Sequence, residues 1–461
     1  MAVTRPVPGR YRLDPTWRRP GDGRTVVAGS PLRLFRLSPG GAHVIARVEA
    51  GDVPATTAVQ QLLDRFVDAG ALHPEPVPGA GPFTAGDVTV VMPCYAATPV
   101  LPSGATRVIV VDDASPVPVA PPADDGDSRQ TTWLRHEVNR GPGAARNTGL
   151  AAVTTPIVAF VDTDVILPDG WLAPLLAHFA DPQVALVAPR VASAPGPGRL
   201  AEYEQRHSPL DLGDQPARVA PGTRVSYVPA AVIACRTDAL RAVGGFDEAL
   251  RWGEDVDLVW RLLSAGYRAR YEPAVVAHHA PRPSWPALWQ QRRAYGRSAA
   301  PLSVRHPGAL APVRMSGWSL GVWLLLAARR PLAATALAAG TTLALVRKLH
   351  SLPAAEAARL ALAGHLAAGR QLAEGIRRVW WPLALPALLT RRGRRLAAAA
   401  VVLPAAVEAA RRRSAQPLAD LPLHVAEEAA YGLGVWEGVL AERSAGPLLP
   451  ELSGWPRRGD R

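Results

Sequence analysis

The sequence predicts an α/β fold, a parallel sheet covered by helices on both faces, preceded by a small winged-helix-like module and followed by an α-helical apolar region. Three observations carry this reading. Short β-branched runs such as Val88-Thr-Val-Val-Met, Val108-Ile-Val-Val and Ile157-Val-Ala-Phe-Val recur between helical stretches, the pattern of buried parallel strands. Two of these runs end in carboxylates, at Asp112-Asp113 and Asp162-Thr163-Asp164. A change in composition near residue 317, to alanine and leucine, closes the α/β part.

Composition narrows the classes. The chain of 461 residues is long enough for two or three domains and a sizeable core. Its 51 basic and 39 acidic residues give a formal charge of +12, and Lys348 is the only lysine. Arginine spread along a chain does not argue for nucleic acid without a basic patch and a binding motif, and no such motif occurs. No nucleic-acid partner is expected. Cys94 and Cys235 cannot build a disulfide framework, and both sit in strand-like runs where a buried thiol is inert. Residues 1–24 are polar and rich in proline and arginine, with no apolar core, so no signal peptide is expected and the catalytic part should be cytoplasmic.

Residues 1–76 read as the first domain. Tyr11-Arg-Leu-Asp, Arg24-Thr-Val-Val-Ala and Leu32-Arg-Leu-Phe-Arg-Leu alternate as short strands, and helices are expected over residues 39–50 and 55–69. Val59, Leu62, Leu63, Phe66 and Val67 mark the buried face of the second helix. The hydrophobic spacing of these segments and the Gly70-Ala-Leu stop resemble the PqqD-like peptide-chaperone domain, which implies binding of a precursor peptide. A domain that merely packs on the next one would look similar. Residues 77–87, rich in proline and glycine, form a linker.

The catalytic candidates lie in the next domain, residues 88–300. In an extended segment residues i and i+2 project to one side, so Asp162 and Asp164 offer two carboxylates to one point past their strand. That is a site for a hard cation, which completes its shell with water and substrate phosphates. Acidic pairs at this place also cap helices. Ligands of such sheets bind beyond the carboxyl ends of the strands, where Asp112, Asp113, Asp162 and Asp164 would share one crevice. Between these strands, Asn139-Arg-Gly141-Pro-Gly-Ala-Ala-Arg146-Asn147 opens a helix whose free amides suit an anion, with the Arg146 fork matched to phosphate oxygens.

In type and order, Val-Val-Met-Pro93-Cys-Tyr95, Val-Asp112-Asp113-Ala-Ser, the Asn139 to Leu150 stretch and Val-Asp162-Thr-Asp164 resemble family-two glycosyltransferases of the GT-A fold, over roughly residues 87–300. The resemblance implies nucleotide-sugar contacts from Pro93, Tyr95, Asp112, Asp113, Gly141, Arg146, Asn147 and Asp162, with Asp113 at the base and ribose. It implies that Asp162 and Asp164 hold a divalent metal, Mg2+ or Mn2+, and that Arg146 or its neighbours steady the diphosphate. In Trp252-Gly253-Glu254-Asp255, the two acids occupy the first turn of a helix, where the dipole favours ionised carboxylates. The resemblance makes this pair the catalytic one, with Asp255 as base. Helix capping by the same acids is the alternative.

Residues 269–277 read as a strand ending in His278-His279, where His279 is either a third metal ligand or a surface residue. The following helix carries Gln290 and Arg293 at the spacing of the Gln-x-x-Arg-Trp helix of processive sugar polymerases, but Ala294 stands in place of tryptophan. Trp252, Gln290 and Arg293 are the acceptor-side candidates. Within residues 301–461 the apolar runs are all shorter than the ~20 residues that span a bilayer. Their arginine edges suit a membrane interface at the inner face of the cell membrane, or a helical bundle. As a whole the chain resembles the mycofactocin-system glycosyltransferases, which implies a UDP-glucose donor, a peptide-derived acceptor and cellulose-like extension. A transferase acting on a polyprenyl-linked glycan or polysaccharide, and a non-catalytic precursor-peptide carrier, are the alternatives.

Overall fold

The computed structural model describes residues 10–54, 56–119 and 129–454. Residues 1–9 of the expected first domain and Ala55, the expected start of its second helix, lie outside the described residues. The chain forms two compact units, one of residues 10–19 with Val26–Arg282, the other of Pro20–Thr25 with residues 283–454.

The first unit begins with β1 (Arg10–Leu13), β2 (Thr25–Ala28), β3 (Arg33–Arg36), α1 (Pro39–Glu49), α2 (Thr57–Asp68) and β4 (Leu72–Glu75). Ser38 and Thr56 cap the two helices, each accepting a backbone N–H with its hydroxyl. Val26, Ile45, Val48, Leu63, Phe66 and Leu72 share one apolar core, in which Phe35 stacks on Phe66 at 4.2 Å. β1 returns antiparallel to β4, with Leu13 opposite Leu72.

The sheet that carries the site then forms from β5 (Val88–Cys94), β6 (Arg107–Asp112), β7 (Gln130–Arg135), β8 (Ile157–Val161), β9 (Val165–Ile166), β10 (Val184–Ser193), β11 (Ala217–Arg218), β12 (Val232–Arg236) and β13 (Arg268–His279). Among the described residues, five α-helices lie between them: α3 (Pro142–Ala152), α4 (Leu172–Ala177), α5 (Gly198–His207), α6 (Thr237–Ala242) and α7 (Glu254–Ser264). Strand order is β11-β13-β10-β12-β8-β5-β6-β7, with β9 pairing β13. α3 approaches the sheet closely because Gly149 has no side chain; a Cβ there would come within 2.3 Å of Val91.

The expectation of a parallel sheet is corrected: the sheet is mixed. β5, β6, β7 and β8 are parallel, but β12 runs antiparallel to both β8 and β10. Parallel strands need a crossover that carries the chain back to their starting end. β11 already runs antiparallel to β13, and the segment after it carries the chain back to the carboxyl end, so β12 begins there, Val232 opposite Val161, and finishes with Arg236 opposite Ile157. The reversal puts the backbone of Ala230 and Ala231 beside the strand-end acids.

Among the described residues the second unit is helical apart from one short strand pair. It comprises α8 (Trp285–Arg297), α9 (Ala299–Arg305), α10 (Gly317–Ala327), α11 (Pro331–Lys348), α12 (Ala354–Arg378), α13 (Trp381–Ala384), α14 (Arg391–Arg412), α15 (Gln416–Ala419) and α16 (Leu421–Glu442). α8 packs on α16, where Arg292 pairs with Glu427 and both Arg293 and Arg297 pair with Glu437. Among the described residues no helix is long and apolar enough to cross a membrane.

Candidate active site

Arg146 is the hub of the site. It sits on α3 and is 3% exposed, with Nη1 donating to Glu254 Oε1 at 2.8 Å and Nη2 to Asp162 Oδ1 at 2.7 Å. Phe246 lies under the guanidinium, 5.4 Å from its centre. Burial opposes the charge, but Asp162 and Glu254 more than offset it and hold the group protonated. Three separate motifs, from α3, the end of β8 and the start of α7, are thereby tied together.

The two acids at the start of α7 differ in setting. Glu254 is buried, and burial followed by the neighbouring Asp255 charge pushes it up to about 7, against the pull of Arg146. Asp255 is half-buried and accepts from the Val256 amide at 2.8 Å and the Ala230 amide at 3.3 Å. Its carboxyl is also raised, by burial first, while the Val256 amide and Arg146 act against the shift. A carboxylate with raised proton affinity suits proton abstraction near neutral pH. Asp257, by contrast, pairs locally with Arg261 at 2.6 Å.

At the carboxyl end of β8, Asp162 is half-buried and donates its amide to Ala231 O at 2.9 Å. Asp164 is exposed and meets His279 from the end of β13, Oδ2 to Nε2 at 3.0 Å, with Arg282 3.7 Å away. Burial lowers the proton affinity of His279, but Asp164 raises it further and the net shift is upward. Of the expected metal set, then, Asp164 and His279 adjoin, whereas Asp162 turns one oxygen to Arg146. Among the described residues no group of three or more His, Cys, Asp or Glu side chains is assembled as a cation cage.

Where nucleotide contacts are expected, the residues are held by other parts of the protein. Asp113 is buried, with Oδ1 receiving the Arg140 amide at 2.9 Å and Oδ2 the Gly141 amide at 2.7 Å. Asp112 accepts from the Ser115 and Val119 amides and from Arg135; burial raises its proton affinity, but these donors dominate and lower it. Asn147 clamps the turn before α7, donating to Phe246 O at 2.8 Å and accepting the Phe246 amide at 2.8 Å. Gly245, at φ +69°, is needed there because a Cβ would meet Asn147 Oδ1 at 2.5 Å. Pro93 is half-buried in β5, while Tyr95 and Trp252 are exposed. Gln290 and Arg293 lie on α8 in the second unit, Gln290 exposed and Arg293 paired with Glu437.

Sequence reading missed three contributors. His136 bridges Asp113 Oδ1 at 2.7 Å and Thr148 Oγ1 at 2.8 Å, and its place just past β7 was the available signal. Glu248 ties Arg140 at 2.8 Å and Asn147 at 3.0 Å across about a hundred residues of chain. Ala230, whose amide holds Asp255, carried no side-chain signal at all.

An α/β sheet with acids at its strand ends and a carboxylate pair opening a helix is an arrangement that suits a glycosyltransferase. Residues 90–243 match the profile of glycosyl transferase family 2, and the chain is a glycosyltransferase. It is 42% identical over 476 aligned positions to the pre-mycofactocin glycosyltransferase of Mycobacterium tuberculosis, covering 98% of this chain and 100% of that protein. The chain belongs to that family. Succinoglycan biosynthesis protein ExoU of Rhizobium meliloti is 32% identical over 183 residues, 36% of this chain and 51% of that one. Among solved structures, a mannosyltransferase from Pyrobaculum calidifontis in complex with GDP-Man and Mn2+ aligns at a TM-score of 0.41 and 19% identity, over 79% of this chain and 89% of that chain.

Proposed function

We propose that the chain transfers glucose from UDP-glucose, with inversion, to the peptide-derived pre-mycofactocin acceptor and extends it as a cellulose-like β-glucan. The observation that carries this reading is the convergence of Asp162, Glu254 and Asp255 on Arg146 at one end of the sheet. The name of the full-length relative supports the acceptor.

Asp255 is the base. Oriented by the Ala230 and Val256 amides, it takes the proton of an acceptor hydroxyl while that oxygen bonds to the anomeric carbon and the bond to the diphosphate breaks. A single displacement inverts the centre. Glu254 holds Arg146, which also fixes Asp162 and places its positive charge near Asp255. Asp164 and His279, donors of a type that Mg2+ or Mn2+ accepts, would hold the ion, with further oxygens coming from the diphosphate and water. When bound, that ion supplies positive charge to the departing diphosphate. Pro93, Tyr95, Asp112, Asp113, Gly141 and Asn147 shape the nucleotide side, Asp113 by fixing the glycine-rich turn. Trp252, exposed before α7, faces the acceptor.

In this reading the N-terminal domain presents the peptide-derived acceptor, and the second unit rests on the inner face of the membrane. Exposed Leu383, Leu385, Leu388 and Leu389 next to Arg391, Arg392, Arg394 and Arg395 support the latter. The test is the purified chain with a panel of nucleotide sugars and Mg2+ or Mn2+, scored for nucleoside diphosphate release. Release with UDP-glucose that depends on the peptide-derived acceptor is expected. Acceptor-dependent release that survives deletion of residues 1–82 would remove the acceptor role of the N-terminal domain, and no release with any donor would remove the reading itself.

A further inference from the structure

At the far end of β13 from His279 lies a second arginine cluster, outside the catalytic machinery. β11 and β13 place Arg218 directly opposite Arg270, and Arg268 lies two residues before Arg270 on the same face. Like charges directly opposite on paired strands repel. The acids nearby are engaged elsewhere. Asp68 of α2 pairs with Arg268 at 2.5 Å and Asp181 with Arg268 at 3.0 Å. Asp14 is taken by His73 at 3.0 Å and by Arg224 at 3.1 Å.

Arg218 and Arg270 are left over. Arg270 is 4% exposed and its Nη1 is buried with no partner. Among the described residues no hydrogen bond or ion pair reaches the Arg218 guanidinium, which is half-buried beside the turn at Gly70; Asp68 attracts it without reaching it, while Arg33 of β3 and Arg268 repel it. Burial, then the Arg268 charge, push Arg270 down to about 10. A buried unpaired guanidinium is costly, and such a group in a native protein calls for a bound ion or water. Arginine forks match carboxylate and phosphate oxygens.

We propose that Arg218 and Arg270, with exposed Arg33 at the rim, bind an oxyanion, carboxylate or phosphate, at the seam between the N-terminal domain and the edge of the sheet. The site is independent of the catalytic reading, because Arg270 and His279, opposite Val187 and Ser193 of β10, are separated along the sheet by about 20 Å. Its position beside α2 and the turn at Gly70 makes it a place where an acidic group of a ligand held by the N-terminal domain would be read.

The test uses the full chain at constant ionic strength, replacing sodium chloride by sodium phosphate or sodium acetate, with melting temperature and calorimetric titration as readouts. The wild-type melting temperature is expected to rise with the bound anion by mass action. Arg218→Gln, at the half-exposed edge, is expected to weaken the affinity about tenfold or more. A rise with phosphate alone assigns the site to phosphoryl groups, and a rise with acetate as well assigns it to carboxylates. Exposed Arg33→Gln should give a smaller loss and serves if Arg218→Gln does not fold. A melting temperature unchanged by either anion at that constant ionic strength, or an anion response kept in full by Arg218→Gln and Arg33→Gln, overturns the proposal.

Discussion

Two buried arginines of the same unit have opposite surroundings. Arg146 is 3% exposed and gives each terminal nitrogen to a carboxylate, whereas Arg270 is 4% exposed with a terminal nitrogen that touches no acceptor. The first joins three chain segments into one site; the second lies where every nearby acid already has a partner. Burial of a cation is therefore not informative by itself. Its pairing separates a residue that organises the protein's own groups from one that waits for a ligand's.

The sharpest way to probe the paired side is to remove the base while leaving the hub intact. Asp255→Asn keeps the shape and one of the two backbone bonds, since the Val256 and Ala230 amides meet different oxygens and asparagine has a single acceptor, yet it cannot take a proton. Turnover should fall about 100- to 10,000-fold with KM for the donor little changed. Steady-state kinetics of UDP release checks this, and unchanged turnover would return Asp255 to a capping role.

Breaking the hub itself comes next in size. Arg146→Met leaves Glu254 and Asp162 facing each other without their shared cation, and removing one member of a buried ionic group costs about 3–5 kcal/mol. Denaturant unfolding should show the loss. Arg146→Lys should recover little of it, because one ammonium cannot reproduce a two-pronged contact.

How much of this arrangement was visible in the residues alone depends on distance along the chain. The strands 88–94, 107–112 and 157–161 could be read because buried runs are apolar and β-branched, and the start of α7 because Gly253 precedes two acids. Asp162 and Asp255 were legible as acids at the ends of such elements. The partner of Arg146 was not: a phosphate and a carboxylate ask for the same fork, and Glu254 lies 108 residues away. Strand direction was equally hidden in β12, since Val-Ile-Ala-Cys-Arg reads alike in both senses and only the end of the sheet at which the preceding segment delivers the chain decides. Arg268-Ala-Arg270-Tyr alternates like a solvent-facing edge, so the burial of Arg270 could not be foreseen without the N-terminal domain beside it.

Titration distinguishes the two sides further. Glu254 sits at about 7 in the folded protein against an ordinary 4.5, so the folded state binds its proton more tightly than the unfolded one. The stability from that proton is complete below about pH 4.5 and is lost as the pH climbs through about 7. Melting temperatures of the wild type should accordingly decline across that window more steeply than those of Glu254→Gln, which has no carboxyl to titrate. Parallel curves would mean that Glu254 is charged throughout and that the Arg146 pair, not burial, governs it.

The smallest expected effect has the opposite sign. Arg270→Met removes a cation that has no acceptor at Nη1 and puts an adaptable apolar side chain of similar length in its place. In buffer free of phosphate and carboxylates the variant should be more stable than the wild type by about 1 kcal/mol, since replacing buried charge by packed apolar groups is often stabilising. The same change at Arg146 destabilises, so one assay, denaturant unfolding of both variants side by side, tests the contrast. If Arg270→Met instead loses stability like Arg146→Met, the guanidinium must already have a compensating partner within the fold, and the two arginines would be variants of one device.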